Sequence, residues 1–572
     1  MSRRTITAAV LLAVATVLSS GPAAAQKSGG TLRAFVFTNQ PSASIHEELT
    51  VATVAPFMAV FNNLVLFDQT KPRHSIDTIV PDLAESWAWD ASRTRLTFKL
   101  RQGVKWHDGK PFTAKDVQCT WQRLIGEEYF RKNPRRVWYT NLKEVTVDGE
   151  HQATFHLSKP QPALVALLAS GMGPVYPCHR EAKDMRLNPV GTGPFKFVQF
   201  KSNDSIKLVR NPDYWKPGRP YLDAIEWRIV SSLATRTLAF VAGEVDFTFP
   251  GDATPPVAKQ IILQAPKAIC ELAAGNVTTN LLVNRGAAPF SDAKIRLAMM
   301  LALDRQGFND IFHEGKAVIS GAMLPAPYGS WGMPSEVLNT LPGYSGDLAA
   351  RLGEARRIME SLGYGPGKRL KVKVSTRDWQ TYRDRAVVLV DQLSKTHFDA
   401  ELEVIESSIW FGRMVSKKYA VALNLTGAAV DDPDSMLKEN YACGSENNSP
   451  TTATPRWNSF SIGSRRRPMS ASARPWCGRS SAGWPRTWPT RSSSTPSATA
   501  AGNRTSKATC CSRTPSITTG GSKTCGSTDE IGARRSSSIH GAAVSPRLPP
   551  GPYRPANCAW PDASASDRVD HV

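Results

Sequence analysis

Residues 188–247 limit the possible folds of this chain more than any other stretch. Gly191 and Gly193 flank a predicted tight turn, where a residue without Cβ permits positive φ. Apolar and polar side chains then alternate, as in a half-buried strand, and Asn203-Asp204 predicts a hairpin turn to the next strand. A further strand, a helix and a last short strand at 244–247 follow, so the stretch predicts an α/β unit.

Three segments of this stretch carry a family resemblance. They read NPVGTGPFKF, NPDYWKPGRPYLDAIEWRIV and AGEVDF, in this order. The chain resembles the family 5 extracellular solute-binding proteins, the dipeptide- and oligopeptide-binding components of bacterial ABC importers. The resemblance implies an α/β fold of the type II-like periplasmic binding protein class, with two lobes and three subdomains. It also implies a monomer without a cofactor that captures a peptide-like solute between its lobes and delivers it to an inner-membrane ABC permease.

The N-terminus has the three parts of an export signal. Arg3 and Arg4 form a charged region, residues 8–18 are apolar but too few to span a bilayer, and residues 23–25 are small, as at a cleavage site. We expect a signal peptide over residues 1–25 and a periplasmic mature protein. An N-terminal anchor is the alternative, and the short apolar run disfavours it.

The formal net charge of +21 would suit a nucleic-acid partner. The charge is uneven, however, because arginine greatly outnumbers aspartate and glutamate after Glu446, whereas the preceding part has no basic stripe interleaved with aromatic residues. We therefore expect solvated charges and no nucleic acid among the partners.

Cysteines occur both in the body of the chain and in its last part. The body cysteines of an exported protein can form disulfides, but the sequence does not determine their pairing. They are Cys119, Cys178, Cys270 and Cys443. No CxxC or HExxH pattern occurs, so we expect no metal site.

The order of the predicted elements indicates a discontinuous first lobe. Residues 27–50 and 181–274 are assigned to it, and residues 56–180 form an inserted small domain. A helix is predicted over residues 51–66, and Thr113 with Asp116 fits the capping box of another.

Residues 276–450 are assigned to the second lobe. Ser291 is predicted to cap its first helix, and strands and helices then alternate as βαβαβ over residues 370–425, which favours parallel strands. Ligands of such units bind beyond the carboxyl ends of the strands. This rule points to Arg377, Trp379 and the loop 426–434.

The resemblance implies ligand-binding residues in this lobe. Trp410 matches a tryptophan that contacts ligand in oligopeptide binders, although it is equally suited to a core position at a helix start. The loop at 426–434 matches the segment where peptide binders place an aspartate against the ligand α-ammonium, but that position holds Ala429. Asp431, Asp432 and Asp434 lie close by as candidates, or as turn formers beside Pro433. The departure argues against recognition of a free peptide N-terminus.

Other candidates rest on residue type and position alone. Arg377 could pair with a ligand carboxylate, or lie on a solvated face. Asn39, Tyr139 and Trp379 are further ligand-binding candidates, with Trp138 beside Tyr139.

Residues 451–572 have no helical or strand period and no Leu before Leu548. One interpretation is a disordered tail, although tryptophan and cysteine are rare in such tails. A frameshift explains the tail better, because plausible codons shifted by one base read as family-like helices. The resemblance implies that this segment completes the first lobe and the hinge. We therefore expect an irregular tail with few contacts to the body and exposed apolar surface on the first lobe. Closure should be weakened because one hinge strand is missing. The alternative to a working transporter component is a non-functional product of a frameshifted gene.

A secreted hydrolase is the alternative from a different functional class. It would need a nucleophile beside a base, and the chain has no GxSxG or zinc motif. His107 has no nucleophile or carboxylate partner in its own motif, which favours a structural turn residue and no catalytic residue.

Overall fold

The computed structural model describes residues 28–71, 73–126, 128–321, 323, 329–427, 429–441, 445 and 504–511. Its strands are β1 (Thr31–Val36), β2 (Val65–Phe67), β3 (Ile79–Pro81), β4 (Ala84–Trp89), β5 (Arg95–Leu100), β6 (Leu142–Gly149), β7 (Gln152–Leu157), β8 (Phe195–Lys201), β9 (Ser205–Arg210), β10 (Ala224–Ile229), β11 (Ile269–Val283), β12 (Leu370–Arg377), β13 (Phe398–Ile405), β14 (Val421–Gly427) and β15 (Arg504–Cys511).

The helices alternate with these strands. They are α1 (Val51–Val54), α2 (Ala114–Ile125), α3 (Leu164–Ala169), α4 (Ala182–Leu187), α5 (Leu233–Val241), α6 (Pro255–Gln264), α7 (Ala293–Ala302), α8 (Arg305–His313), α9 (Ser335–Leu338), α10 (Leu348–Ser361), α11 (Gln380–Ser394), α12 (Ser407–Val415) and α13 (Pro433–Tyr441). Short 3-10 turns lie at Ala55–Val60, Ile76–Thr78 and Arg136–Tyr139. Every helix among the described residues is too short or too polar to span a bilayer.

Two distant chain segments share the sheet of the first lobe. β1 lies parallel to β10, with Thr31 opposite Ala224 and Val36 opposite Ile229. β9 and β8 continue the sheet as an antiparallel hairpin, and Asn203 adopts φ 59° in its turn, a conformation that asparagine tolerates. The chain therefore leaves this sheet after β1 and returns to it at β8.

Gly191 and Gly193 are needed for a different reason from the predicted one. Neither adopts positive φ. A Cβ on Gly191 would overlap the carbonyl oxygen of Val60, and one on Gly193 would lie 2.5 Å from the Val60 carbonyl carbon. The amide of Gly193 donates to the Val60 oxygen over 2.9 Å. Close packing of two backbones thus requires glycine at both positions.

The inserted chain between β1 and β8 forms a sheet of its own, in the order β4-β5-β7-β6. The predicted capping box starts α2, because Asp116 accepts from the amide of Thr113 over 2.9 Å. A disulfide joins Cys119 on α2 to Cys178 on the segment that leads back to β8. The helix predicted over residues 51–66 is wrong: α1 gives way to a 3-10 turn at Pro56, which has no N–H and disfavours helix in the preceding residue.

The second lobe contains the sheet β13-β12-β14-β11-β15. β12 is parallel to β13 and β14, as the βαβαβ pattern predicted, whereas β14 runs antiparallel to β11. α7, α10 and α11 cover one face around buried Val374, and α12 covers part of the other. The cap of α7 is Asp292 and not the predicted Ser291, since the Asp292 side chain accepts from the amide of Lys294 over 2.8 Å.

Two further expectations differ from the structure. Residues 244–247 form no strand, only an isolated bridge between Ala34 and Phe247. Within the tail, residues 504–511 form β15, which pairs antiparallel with β11 from Ile269 to Thr278. This contact was not expected, because the tail has no strand-like pattern. The other residues of 451–572 lie outside the described part of the chain.

Candidate functional site

The two lobes meet at the carboxyl ends of two strands. Phe37 follows β1 in the first lobe, and Trp379 follows β12 in the second. Their rings stack with centroids 3.7 Å apart and planes 10° from parallel. Trp379 was a sequence candidate on the strand-end rule, and the same rule applied to β1 would have found Phe37.

Both rings belong to a large apolar cluster that contains groups from both lobes. Phe249 contacts the edge of Phe37 with centroids 5.1 Å apart. Val430 and Ala429, from the loop that follows β14, pack in the same cluster as the first-lobe core. The indole Nε1 of Trp379 is buried and has no hydrogen-bond acceptor among the residues that the structure describes. The guanidinium of Arg236 lies 5.8 Å from the ring centroid of Phe37, so a charged group and the Nε1 donor accompany the apolar contact.

A second contact, between the inserted domain and the second lobe, is polar. The indole Nε1 of Trp138 donates to Oε2 of Glu439 over 3.1 Å, and Nζ of Lys438 donates to Oγ1 of Thr140 over 2.8 Å. Glu439 and Lys438 belong to α13, which was not predicted to reach the inserted domain. The local sequence pattern of α13 does not predict this contact.

Two of the three aspartates of the 426–434 loop accept hydrogen bonds from backbone amides of their own lobe, while Oδ1 of Asp431 is buried and accepts no hydrogen bond from the described residues. Oδ2 of Asp431 accepts from the amide of Ser330 over 2.7 Å. Oδ1 of Asp432 accepts from the amide of Asp434 over 2.8 Å, and Asp434 is itself buried. The Asp432 contact fits the turn-forming interpretation, in which a short carboxylate holds the loop that starts α13, whereas Asp431 contacts a distant segment of the chain.

Arg377 lies at the end of β12 and is buried. Its Nε donates to Oγ of Ser407 over 2.9 Å, and its guanidinium lies 5.4 Å from the ring centroid of Phe411. The side chain thus ties β12 to α12, and it does not lie on the solvated face that was one of its two interpretations.

Trp410 is packed inside the second lobe. It is 1% exposed and belongs to a small cluster on the sheet face opposite α11. The cluster consists of Leu282, Ile405, Trp410, Met414, Tyr419 and Ala422. These contacts fit the core interpretation of Trp410.

Asn39 and Tyr139 also make internal contacts. Nδ2 of Asn39 donates to Oγ of Ser202 over 2.7 Å, and its Oδ1 accepts from the amide of Asn203 over 3.0 Å, so it holds the β8–β9 turn. Tyr139 is buried against Trp121, and burial raises the pKa of its hydroxyl to about 12. Among the described residues, neither side chain has a hydrogen bond or ring contact with Trp379.

His107 joins the inserted domain to the glycine turn. Its Nε2 donates to the carbonyl oxygen of Gly193 over 2.9 Å, which leaves Nδ1 as an acceptor beside the amide of Gly191 at 3.4 Å. Burial lowers the pKa of His107 to about 4, so the ring is neutral at pH 7. This geometry assigns His107 a structural role. Within the described residues, no group of His, Cys, Asp and Glu side chains could hold a metal ion.

Known proteins resemble the chain in sequence. Residues 78–448 match the family model described as bacterial extracellular solute-binding proteins, family 5 Middle. The oligopeptide-binding protein AppA of Bacillus subtilis (strain 168) is 28% identical over 325 residues, which cover 54% of this chain and 58% of that protein. The di/tripeptide-binding protein 1 of Pseudomonas aeruginosa (strain UCBPP-PA14) is 24% identical over 414 residues, which cover 67% of this chain and 73% of that protein.

Solved structures share the fold. DppA from Helicobacter pylori in complex with the peptide STSA has a TM-score of 0.67 at 22% identity, covering 77% of this chain and 87% of that one. AgaA from A. tumefacien R10 in complex with agropinic acid has a TM-score of 0.65 at 22% identity, again covering 77% and 87%. The expected two-lobed α/β fold is thereby confirmed. Because the family model covers more than half of the sequence, the chain belongs to the bacterial extracellular solute-binding proteins of family 5.

Proposed function

We propose that this protein is a periplasmic binding protein that captures a peptide-like solute between its lobes and delivers it, as a monomer, to an inner-membrane ABC permease. Cleavage near Ala25 would release the mature chain. The relatives described as oligopeptide- and di/tripeptide-binding proteins support the choice of solute. The family supports a binding role and not catalysis.

The contact between Phe37 and Trp379 carries the proposal. A binding protein that closes by a hinge needs groups from both lobes that meet where the ligand is held. The two rings come from different lobes and lie at strand ends, where ligands of α/β sheets bind. Among the sequence candidates we therefore assign the ligand contact to Trp379. The segments on either side of the ligand contact would be held by other sequence candidates, namely Arg377, Asp431, Asp432 and Asp434.

A thermal shift screen tests the proposal. Dipeptides, tripeptides and tetrapeptides are added to the full chain, and a ligand that binds only the folded protein raises the melting temperature. Calorimetry with the best peptide then compares Trp379→Ala with Trp89→Ala. Both residues are half-buried tryptophans, but Trp89 lies on β4 in the inserted domain.

We expect Trp379→Ala to weaken binding by about tenfold to a hundredfold, the loss typical of an aromatic anchor. Trp89→Ala should leave the affinity unchanged. No melting shift with any peptide would contradict the proposed function, and equal affinities of the two variants would contradict the assignment of Trp379.

We also propose that residues 451–572 arise from a frameshift. The loss of apolar periodicity in the sequence supports this origin. The coding DNA from the codon of Gly444 onward tests it: a single added or missing base, relative to a reading frame with helical periodicity, is the expected finding.

A further inference from the structure

The second lobe contains a cavity of its own, with a volume of about 70 Å³. Residues of β11, β14, α8 and α11 line it, and it is partly open to the surface. Phe37 and Trp379 are not among the described residues that line it. With roughly 10–15 Å³ for each water-sized group, the cavity has room for about five such groups. It is therefore large enough for a small organic molecule.

The cavity walls combine apolar and polar side chains. The polar ones include Thr278 and Asn280 of β11, which are joined by a hydrogen bond of 2.9 Å from the Thr278 hydroxyl to Oδ1 of Asn280. The apolar ones pack in the cluster that α7, α10 and α11 cover, and they are Leu281, Leu303, Phe308, Leu389 and Leu423. Such walls suit a ligand with an apolar part and a polar end.

Arg305 supplies the only charged side chain among the described residues that line the cavity. It is buried, and two contacts hold its guanidinium in place. Nη1 donates to the carbonyl oxygen of Gly343 over 2.8 Å, and the guanidinium carbon lies 4.0 Å from the ring centroid of Tyr344. Nη2 is buried and makes no hydrogen bond with the described residues. A buried donor without an acceptor costs free energy that a ligand oxygen would recover.

The polar contacts around Arg305 favour an anion as the ligand. Arg351 donates from Nη1 to the same Gly343 carbonyl over 3.2 Å, so the two guanidinium groups lie close together. Among the described residues, their hydrogen-bond acceptors are all backbone carbonyl oxygens. Asp304 and Asp347 are the neighbouring carboxylates, and both accept from backbone amides at the starts of α8 and α10. A carboxylate brought by a ligand would bind a guanidinium more strongly than these neutral acceptors do.

We infer that this cavity binds a small monocarboxylate with a short apolar chain, such as butyrate. The carboxylate pairs with the guanidinium of Arg305, and the chain packs against Phe308 and the leucine side chains. Butyrate has roughly six non-hydrogen atoms, which matches the room for about five water-sized groups. The site does not depend on the solute held between the lobes, so the inference does not rest on the proposed function.

Thermal shift and calorimetry on the full chain test this inference with butyrate, butyramide and butylammonium. The three probes are similar in size, and sodium chloride keeps the ionic strength equal. We expect butyrate at millimolar concentration to raise the melting temperature, because it binds the folded protein. It should also bind at least about tenfold more tightly than the other two, since it alone carries a carboxylate.

Three variants locate the site, and each is compared with its own melting temperature without ligand. Arg305→Met removes the charge and should abolish the preference for butyrate over butyramide. Leu303→Phe keeps Arg305 but fills the cavity, and should weaken butyrate binding by about tenfold or more. Arg357→Met is the matched control, because Arg357 is exposed on α10, pairs with Glu354 and is not among the described lining residues. This control should bind butyrate like the parent chain.

Several results would overturn the inference. One is an equal melting shift with butyrate and butyramide, or with butyrate and sodium chloride alone. Another is a butyrate affinity that survives both Arg305→Met and Leu303→Phe, or the absence of butyrate binding to the parent chain at millimolar concentration. The proposed function would stand in all these cases, because it depends on peptides. Butyrate binding without binding of any peptide would support the inference and contradict the proposed function.

Discussion

Alanine in place of Gly193 should destabilise the junction between the first lobe and the inserted domain. An added Cβ would lie 2.5 Å from the Val60 carbonyl carbon and 2.6 Å from both the Ala59 oxygen and the Phe61 nitrogen. All three atoms belong to the backbone, so no side-chain rotation can relieve the overlap. Ordinary contact begins near 3.4 Å, and the chains must therefore separate by roughly 0.9 Å.

This separation would break hydrogen bonds that now hold the turn. The Gly193 amide donates to Val60 over 2.9 Å, and its carbonyl accepts from His107 over 2.9 Å and from Nδ2 of Asn211 over 3.2 Å. A stretch of this size takes such bonds to about 3.8 Å or more, beyond hydrogen-bonding distance. With about 1 kcal/mol for each bond and 1–3 kcal/mol for overpacking, the expected loss is about 4–6 kcal/mol.

Urea unfolding followed by tryptophan fluorescence measures this loss. Gly412→Ala is the matched control, because Gly412 is exposed within α12 and has open space around the position of a Cβ. The control should be stabilised by about 0.5–1 kcal/mol, since alanine favours a helix. If Gly193→Ala loses less than about 1 kcal/mol, the close packing of the two backbones is not what requires glycine here.

Three further predictions concern the folded body. Burial lowers the pKa of His107 from its ordinary 6.5 to about 4 in the folded protein, so between these pH values the unfolded chain binds one more proton. The free energy of unfolding should therefore fall by about 1.4 kcal/mol for each pH unit of acidification through that window. His107→Gln should reduce this dependence of stability on pH. Replacing both Cys119 and Cys178 by alanine should cost about 4 kcal/mol in urea unfolding, because the bridge closes a loop with a separation of 59 residues. Trp410→Ala should cost about 3–5 kcal/mol of stability by leaving a cavity, with little change in peptide affinity.

These predictions can each fail in a distinct way. An unchanged acid slope in His107→Gln would mean that other groups, such as buried His46, dominate the acid response. A double cysteine variant as stable as the parent would show that the bridge constrains nothing in the unfolded chain. A Trp410→Ala variant that is stable but binds peptide weakly would restore Trp410 to the ligand site.

Local signals in the sequence were sufficient for many elements. The box of Thr113 and Asp116 starts a helix because both partners lie within one turn of chain, and their hydrogen bonds do not depend on the rest of the fold. The strands β12 to β14 were predictable for a similar reason: each is a short segment between helices in which apolar residues recur at every second position. Such signals determine where elements begin and end.

Contacts between distant segments were not predictable in this way. Trp410 lies near the start of a helix in either interpretation. Its burial depends on packing against Leu282 of β11 and Ala422 of β14, which are distant in the sequence. The stack of Phe37 on Trp379 depends on how two lobes close, and neither local pattern contains that information. Gly193 looks like a turn glycine, yet the requirement comes from Val60, which lies in a different part of the chain.

β15 pairs with one part of the long strand β11. β11 is long: its part from Val277 to Val283 pairs with β14, and its part from Ile269 to Ala274 pairs with β15. The expectation that the altered tail leaves the hinge without a second strand is wrong for residues 504–511. Ladder hydrogen bonds join backbone groups, so a segment of unrelated sequence can occupy a strand edge. A paired β11 is therefore compatible with either reading frame. The coding DNA has to decide the frameshift hypothesis, because backbone pairing does not discriminate between the two frames.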